Sequence, residues 1–400
     1  MSSESWPKCG HSPSQAIPAC SRAVATASRE TQVGRYERFI PGNKDGILVE
    51  ITARTIGARA LLVPAPNPRR FNEIVVGLLG RALEISPIEL CACVFVSNHY
   101  HALAVVYDQQ ELTRFMQHFG CNCSKEIGRL RRWSGPLWAR RYDAIAVSDE
   151  PEAQWRRMKY LLSHGVKEGL VESPMQWPGV NAARALVHGE KLEGYWFNRS
   201  KECAARHYGK DYGTYDFATR YRVGFAPLPA FRDLTPEEYQ DKIAELVTEI
   251  EEEGKATRDG DSVAGVEKIL SQNPYEPPTR KPKSSPKPLF HTASKEAWRA
   301  LREEFAAYLT QYRMASEALR RDRSIEAAAW FPAGSYPPAL PFVGPPPPPC
   351  PPSPPTRRIT IPESGAPERG AIPVVEIPVA VRRPGLRIHE PIPRARGEPP

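Results

Sequence analysis

The chain has 400 residues, a formal net charge of +8 at pH 7, 41% hydrophobic residues and 43 prolines. That length accommodates one sizeable core with smaller units beside it, and the prolines, crowded late in the chain, make the globular part shorter than the whole. No run is long and apolar enough to cross a bilayer and no apolar signal core opens the chain, which excludes a membrane class and leaves a soluble, cytoplasmic protein as the expectation.

Residues 1–32, rich in Ser, Ala and Pro, show no sustained periodicity and read as disordered. "GILVEITARTI" (46–56) reads as a first strand, β-branched and partly alternating. "NPRRFNEIVVGLLGRALEIS" follows with Phe71, Ile74, Val75, Leu78, Leu79 and Leu83 at helical spacing. "IELCACVFVSNHYHALAVVY" is two apolar stretches divided by Ser97-Asn98, a turn-forming pair, and so a hairpin. A second helix starts at Asp108 as N-cap, with Leu112, Phe115, Met116 and Phe119 as its apolar stripe. "GPLWARRYDAIAV" gives a loop and a short strand. A third helix, "SDEPEAQWRRMKYLLSHG", is capped by Ser148 or Asp149 and stopped by Gly165.

This order of elements predicts an α+β fold, a ferredoxin-like split βαβ antiparallel sheet with helices on one face. Beyond it, residues 191–272 read as a mostly helical extension, with a capping box at Thr235 and Glu238. Residues 273–293 form a basic, proline-rich linker, 294–330 hold a long amphipathic helix, and 331–400 form a Pro/Arg-rich disordered tail. Eight cysteines include two Cys-x-Cys pairs but no Cys-x-x-Cys pair. They read as reduced, half-buried thiols.

The chemistry concentrates in "FVSNHYHALAVVY" (95–107). Side chains alternate along a strand, so His99 and His101 share one face and Tyr100 takes the other. Two imidazoles on one face are a poor core and a good pair of metal ligands. In "KYLLSHG", Tyr160 and His164 lie four apart, on one helical face. A strand offering His99 and His101 and a helix offering His164 enclose a plausible site for one divalent ion, with Tyr160 beside it as a nucleophile toward phosphorus. Taken singly, each of these residues has an ordinary reading as a strand-end polar group, an amphipathic core tyrosine or a helix-terminal histidine. Their conjunction with "IGRLRRWSGPLWARRY" changes the balance: Arg129, Arg131, Arg132, Arg140 and Arg141 are interleaved with Trp133, Trp138 and Tyr142, and no acid separates them. Cations for phosphates and flat rings for bases suit single-stranded or hairpin nucleic acid.

"VFVSNHYHALAV", "GPLWARRYDAIAV" and "MKYLLSHGVKEGLVESPMQWPGV", in that order, resemble the single-tyrosine, histidine–hydrophobe–histidine (HUH) transposases, and among them the REP-associated tyrosine transposases. The resemblance spans about residues 33–190. It implies a ferredoxin-like nuclease domain with His99 and His101 as metal ligands, Tyr160 as nucleophile and His164 in the place of the more variable third ligand. It further implies Mg2+ or Mn2+ as cofactor, single-stranded or hairpin DNA as partner, a 5′-phosphotyrosine intermediate, and a place at the nucleoid when bound to DNA. The family often has Asn-Pro where this chain has His164-Gly165. The expected function is therefore a metal-dependent single-stranded DNA endonuclease and strand transferase. The alternative is a non-catalytic nucleic-acid-binding module on the same fold, and a homodimer is left open.

Overall fold

The structure, a computed structural model, describes residues 39–41, 46–279, 287–322, 330–332, 335, 372–377 and 379. The expected disordered segment 1–32 and most of the Pro/Arg-rich tail lie outside these residues. In chain order the elements are β1 (Ile47–Arg54), α1 (Pro68–Ile85), β2 (Glu89–Val96), β3 (His99–Val106), α2 (Gln109–Arg131), β4 (Asp143–Val147), α3 (Pro151–Leu162) and α4 (His164–Lys167). They continue with α5 (Ala183–His188), β5 (Leu192–Phe197), α6 (Arg199–His207), β6 (Ala218–Val223), α7 (Pro236–Arg258), α8 (Val266–Leu270), α9 (Lys295–Asp322) and β7 (Val374–Ile377).

The first four strands form an antiparallel sheet in the order β2-β3-β1-β4. This is the arrangement of a split βαβ unit, and α1 and α2 cover one face of it. Alternation decides what each face holds. Val49, Ile51, Tyr100, Ala102 and Ala104 point to α1 and α2, joining Phe71, Leu79, Phe115 and Phe119 in one apolar layer. Leu48, Val94, Leu103 and Val105 point the other way, against Met158, Leu161 and Leu162 of α3 and Tyr239, Ile243 and Leu246 of α7. The sheet is thus a middle layer, with the helices that follow the split βαβ unit covering its second face.

Local signals explain most boundaries. Asn67 accepts from Arg70 N at 3.0 Å and starts α1; Asp108 accepts from Gln110 N at 3.0 Å and starts α2. Thr235 and Glu238 close the expected capping box of α7. Two expectations at α3 are corrected. Its N-cap position is Glu150, with Pro151 at the first helical residue and Ser148 Oγ donating to the Glu150 carboxylate at 2.6 Å. Gly165 does not stop the helix either: after a bend at Ser163 the backbone coils on through α4, and the left-handed residue that ends it is Gly169 at φ +65°.

The extension is less helical than expected. β5 and β6 form an antiparallel hairpin that packs on α1, and β7 adds to β6 in parallel. The "VVEI" of β7 lies in the segment expected to be disordered, where Val374, Val375 and Ile377 supply β-branched residues between prolines. The free thiols of Cys91, Cys93 and Cys123 are buried and those of Cys121 and Cys203 exposed. Burial pushes Cys91 and Cys93 up to about 12, so these thiols stay protonated. Among the described residues no helix is long and apolar enough to cross a membrane.

Candidate metal centre and nucleophile

His99 opens β3 directly after the Ser97-Asn98 turn, and His101 follows on the same face. α3 crosses that face and bends at Ser163, which brings His164 over the pair. The ring centroids of His99 and His101 lie 5.1 Å apart, His101 and His164 4.2 Å, and His99 and His164 5.4 Å. Their ligand atoms all fall within 4.8 Å of one another.

Each imidazole is oriented by a separate acceptor. The Nδ1 of His99 lies 2.6 Å from Asn98 Oδ1, and that of His101 lies 2.8 Å from Glu50 Oε1. The Nδ1 of His164 lies 2.9 Å from the Tyr160 carbonyl oxygen and 3.2 Å from that of Leu161. An acceptor at every Nδ1 makes that nitrogen the protonated one, so the Nε2 lone pairs are left for the cluster. The tautomers follow from these bonds. Burial, reinforced by the neighbouring rings, pushes His99 well below the usual histidine range and His164 down to about 3. Neutral imidazoles with convergent lone pairs are what a metal ion requires, and burial keeps His99 and His164 in that form. The donor set fits a divalent ion. Three nitrogen ligands suit Mn2+ or another first-row ion better than Mg2+, which prefers oxygen.

Glu50, absent from the sequence reading, proves central. It sits on β1 beside Leu103 and Ile145, with a side chain only 5% exposed. Its Oε2 lies 3.2 Å from Arg157 Nε and 2.8 Å from His291 Nε2. Burial alone would raise its carboxyl; the hydrogen bond from His101, the close His291 imidazole and the charge of Arg157 overcome this and hold it well below the usual carboxylate range. A single acid inside the apolar run "ILVEITA" was the available signal, since a buried carboxylate needs partners.

Tyr160 is half-buried, its ring 4.8 Å from that of His164 and 5.7 Å from that of His101. The Arg157 guanidinium lies 3.9 Å from its ring centroid and Lys167 Nζ 4.4 Å. Burial first, then the Glu50 carboxylate, raises its hydroxyl above the usual phenol range, against the opposing pull of Arg157. The side chain is therefore a phenol at neutral pH.

The basic, aromatic segment lies elsewhere. Trp138, Arg140, Arg141 and Tyr142 line a shallow apolar pocket with Tyr100 and Met116, on the α1–α2 side of the sheet. The two regions approach each other around the end of β1, where Ala139 N donates to Arg54 O at 2.9 Å and Arg54 pairs with His99. Arg132, Arg140 and Arg141 are exposed, and Arg129 pairs with Glu126. Trp133 is half-buried beside Arg59, and Trp138 stands edge-on to Tyr100 at 5.6 Å with Nε1 donating to Gly120 O at 3.1 Å. Arg131 corrects the reading. It is 4% exposed and turns inward, donating to the carbonyls of Leu61, Val63 and Ala65, so it shapes the loop before α1 and offers nothing to a ligand.

No family model matches this sequence, and no curated protein does. Among solved structures, a REP-associated tyrosine transposase bound to a REP hairpin is similar at 17% identity and a TM-score of 0.30, over 39% of this chain and 87% of that one. A candidate transposase from Deinococcus radiodurans is similar at 16% identity and a TM-score of 0.23, over 30% of this chain and 95% of that one.

Proposed function

We propose that the chain is a metal-dependent nuclease and strand transferase for single-stranded or hairpin DNA, with Tyr160 as nucleophile. One observation carries the reading: three imidazoles, His99, His101 and His164, converge beside a phenol, each held at its Nδ1 by an acceptor. A divalent ion bound by them, Mn2+ in preference to Mg2+, would supply positive charge for a phosphate oxygen. The chain's own residues do the rest. Tyr160 Oη forms a bond to phosphorus while the P–O3′ bond breaks; the phenol gives up its proton and the departing 3′ oxygen takes one up. The product is a 5′-phosphotyrosine and a 3′-hydroxyl, and reversal onto another 3′-hydroxyl gives strand transfer. Arg157 and Lys167, both placed over the Tyr160 ring, favour the phenolate as its proton leaves. Arg54 and Lys167 give the same face a basic edge.

The test is an SDS-resistant protein–DNA adduct formed with hairpin DNA and Mn2+. Tyr160→Phe removes only the hydroxyl, so it should abolish the adduct and leave DNA binding nearly unchanged. Tyr100→Phe and Tyr142→Phe should still form it. A Tyr160→Phe protein that cross-links would place the nucleophile elsewhere. A wild type that binds DNA but forms no adduct with any hairpin or metal would make the chain a binding module.

A further inference from the structure

After residue 286, far in sequence from the elements that carry the three imidazoles, the chain lies along the β4 edge of the sheet. His291 N donates to Ala146 O at 2.9 Å and Ser148 N donates to His291 O at 2.9 Å, so this stretch runs parallel to β4 as a further edge. Extended backbone sends successive side chains to opposite faces. Phe290, 5% exposed, enters the apolar layer beneath α1 and α2, where it meets Phe39 and Phe305. His291 must then face the other side, and there its Nε2 lies 2.8 Å from Glu50 Oε2. The other oxygen of the same carboxylate is the one 2.8 Å from His101 Nδ1.

We propose that His291 is a positioning residue of the metal centre. Its Nε2 sits against one oxygen of Glu50 at 2.8 Å and so holds the other beneath His101 Nδ1, which sets the direction of the His101 Nε2 lone pair. Its link to the three imidazoles runs through Glu50. The inference rests on reading the three imidazoles as a metal centre. It deepens that reading by assigning part of the centre to the C-terminal half of the chain. The segment is also pinned independently of this contact: Ala293 N donates to Glu150 Oε2 at 2.8 Å, and Lys287 pairs with Asp143. Removing the imidazole should therefore leave the segment docked. Arg157 still reaches Glu50 Oε2, so that oxygen keeps one partner while the carboxylate is held less tightly against rotation.

The experiment titrates the full-length chain with Mn2+, reading free ion by its EPR signal, for wild type, His291→Leu and His291→Gln. Leucine fills the space without a donor; glutamine keeps an N–H at similar reach. Partners of metal-ligating histidines typically contribute ten- to a hundredfold in affinity, and with Arg157 retained His291→Leu should weaken Mn2+ roughly tenfold. His291→Gln should recover most of that. A folded leucine variant with wild-type affinity overturns the proposal. So does equal weakening in both variants, since packing and not the donor would then be responsible. If the leucine variant does not fold, His291→Ala takes its place in the same comparison. A wild type that binds no Mn2+ removes the metal centre and this role together. A wild type that binds Mn2+ with the expected variant pattern, yet forms no DNA adduct, leaves His291 standing and removes the nuclease.

Discussion

Among the arginines of one short segment, burial decides what each can do. Arg131 gives its guanidinium to three backbone carbonyls, whereas Arg140 and Arg141 stand exposed at the rim of the pocket lined by Trp138 and Tyr142. Arg140 also lies 3.1 Å from Asp143, an exposed ion pair of the kind that a phosphate can displace at small cost. Replacing Arg140 and Arg141 together with alanine should weaken single-stranded DNA binding and flatten its salt dependence, by up to about 0.7 units of slope for each phosphate no longer neutralised. Because this pocket and Tyr160 lie on opposite faces of the sheet, the DNA that does bind should form adduct at the wild-type fraction. An unchanged salt slope would reduce both residues to surface charge. Arg131→Ala should instead lower the melting temperature, for it leaves buried carbonyls without donors.

At the scale of elements, α1 is the hub, since it packs on the four-stranded sheet and also carries the β5–β6 hairpin. The second contact is backbone on backbone. A Cβ at Gly77 would fall 2.1 Å from the Tyr195 carbonyl, and one at Gly194 would fall 2.3 Å from Gly77 N. Alanine at position 77 gains up to about 1 kcal/mol of helix propensity. Overpacking typically costs about 1–3 kcal/mol, and more where the obstacle is backbone that cannot rotate away. The clash should win, so Gly77→Ala should lower the thermal midpoint by several degrees in a melt followed by circular dichroism. A midpoint at or above wild type would show that the hairpin can lift from α1 without loss.

At the scale of the molecule, the resemblance to residues 33–190 does not delimit a core that closes on itself. The layer under α3 is completed by Ala226, Leu228, Tyr239, Ile243, Leu246 and Ile250, and the layer under α1 by Phe197, Val223 and Phe290. A fragment ending at residue 190 would expose the partners of all these side chains, a contiguous apolar surface of the kind that drives aggregation. On size-exclusion chromatography that fragment should run as aggregate, while a chain spanning 33–335 should run as folded protein. A monodisperse, cooperatively melting 33–190 fragment would show that the later elements merely decorate a self-sufficient domain.

Much of this protein was legible in its sequence because the relevant signals are local. Alternation placed His99 and His101 on one face, helical spacing put Tyr160 beside His164, and Asp108 and Thr235 marked helix starts through bonds to residues two or three positions away. What the tertiary structure decided are relations between distant residues, which no period reveals. Glu50, Arg157 and His291 meet around one carboxylate although they come from β1, α3 and a stretch beyond residue 286. Arg131 and Arg132 are adjacent in the chain, yet one is 4% exposed and the other open to solvent, because the bend at the end of α2 turns them apart. Local spacing determined which side chains could act together. Burial and the choice of partners, which follow only from how the layers close, determined which of them are placed to do so.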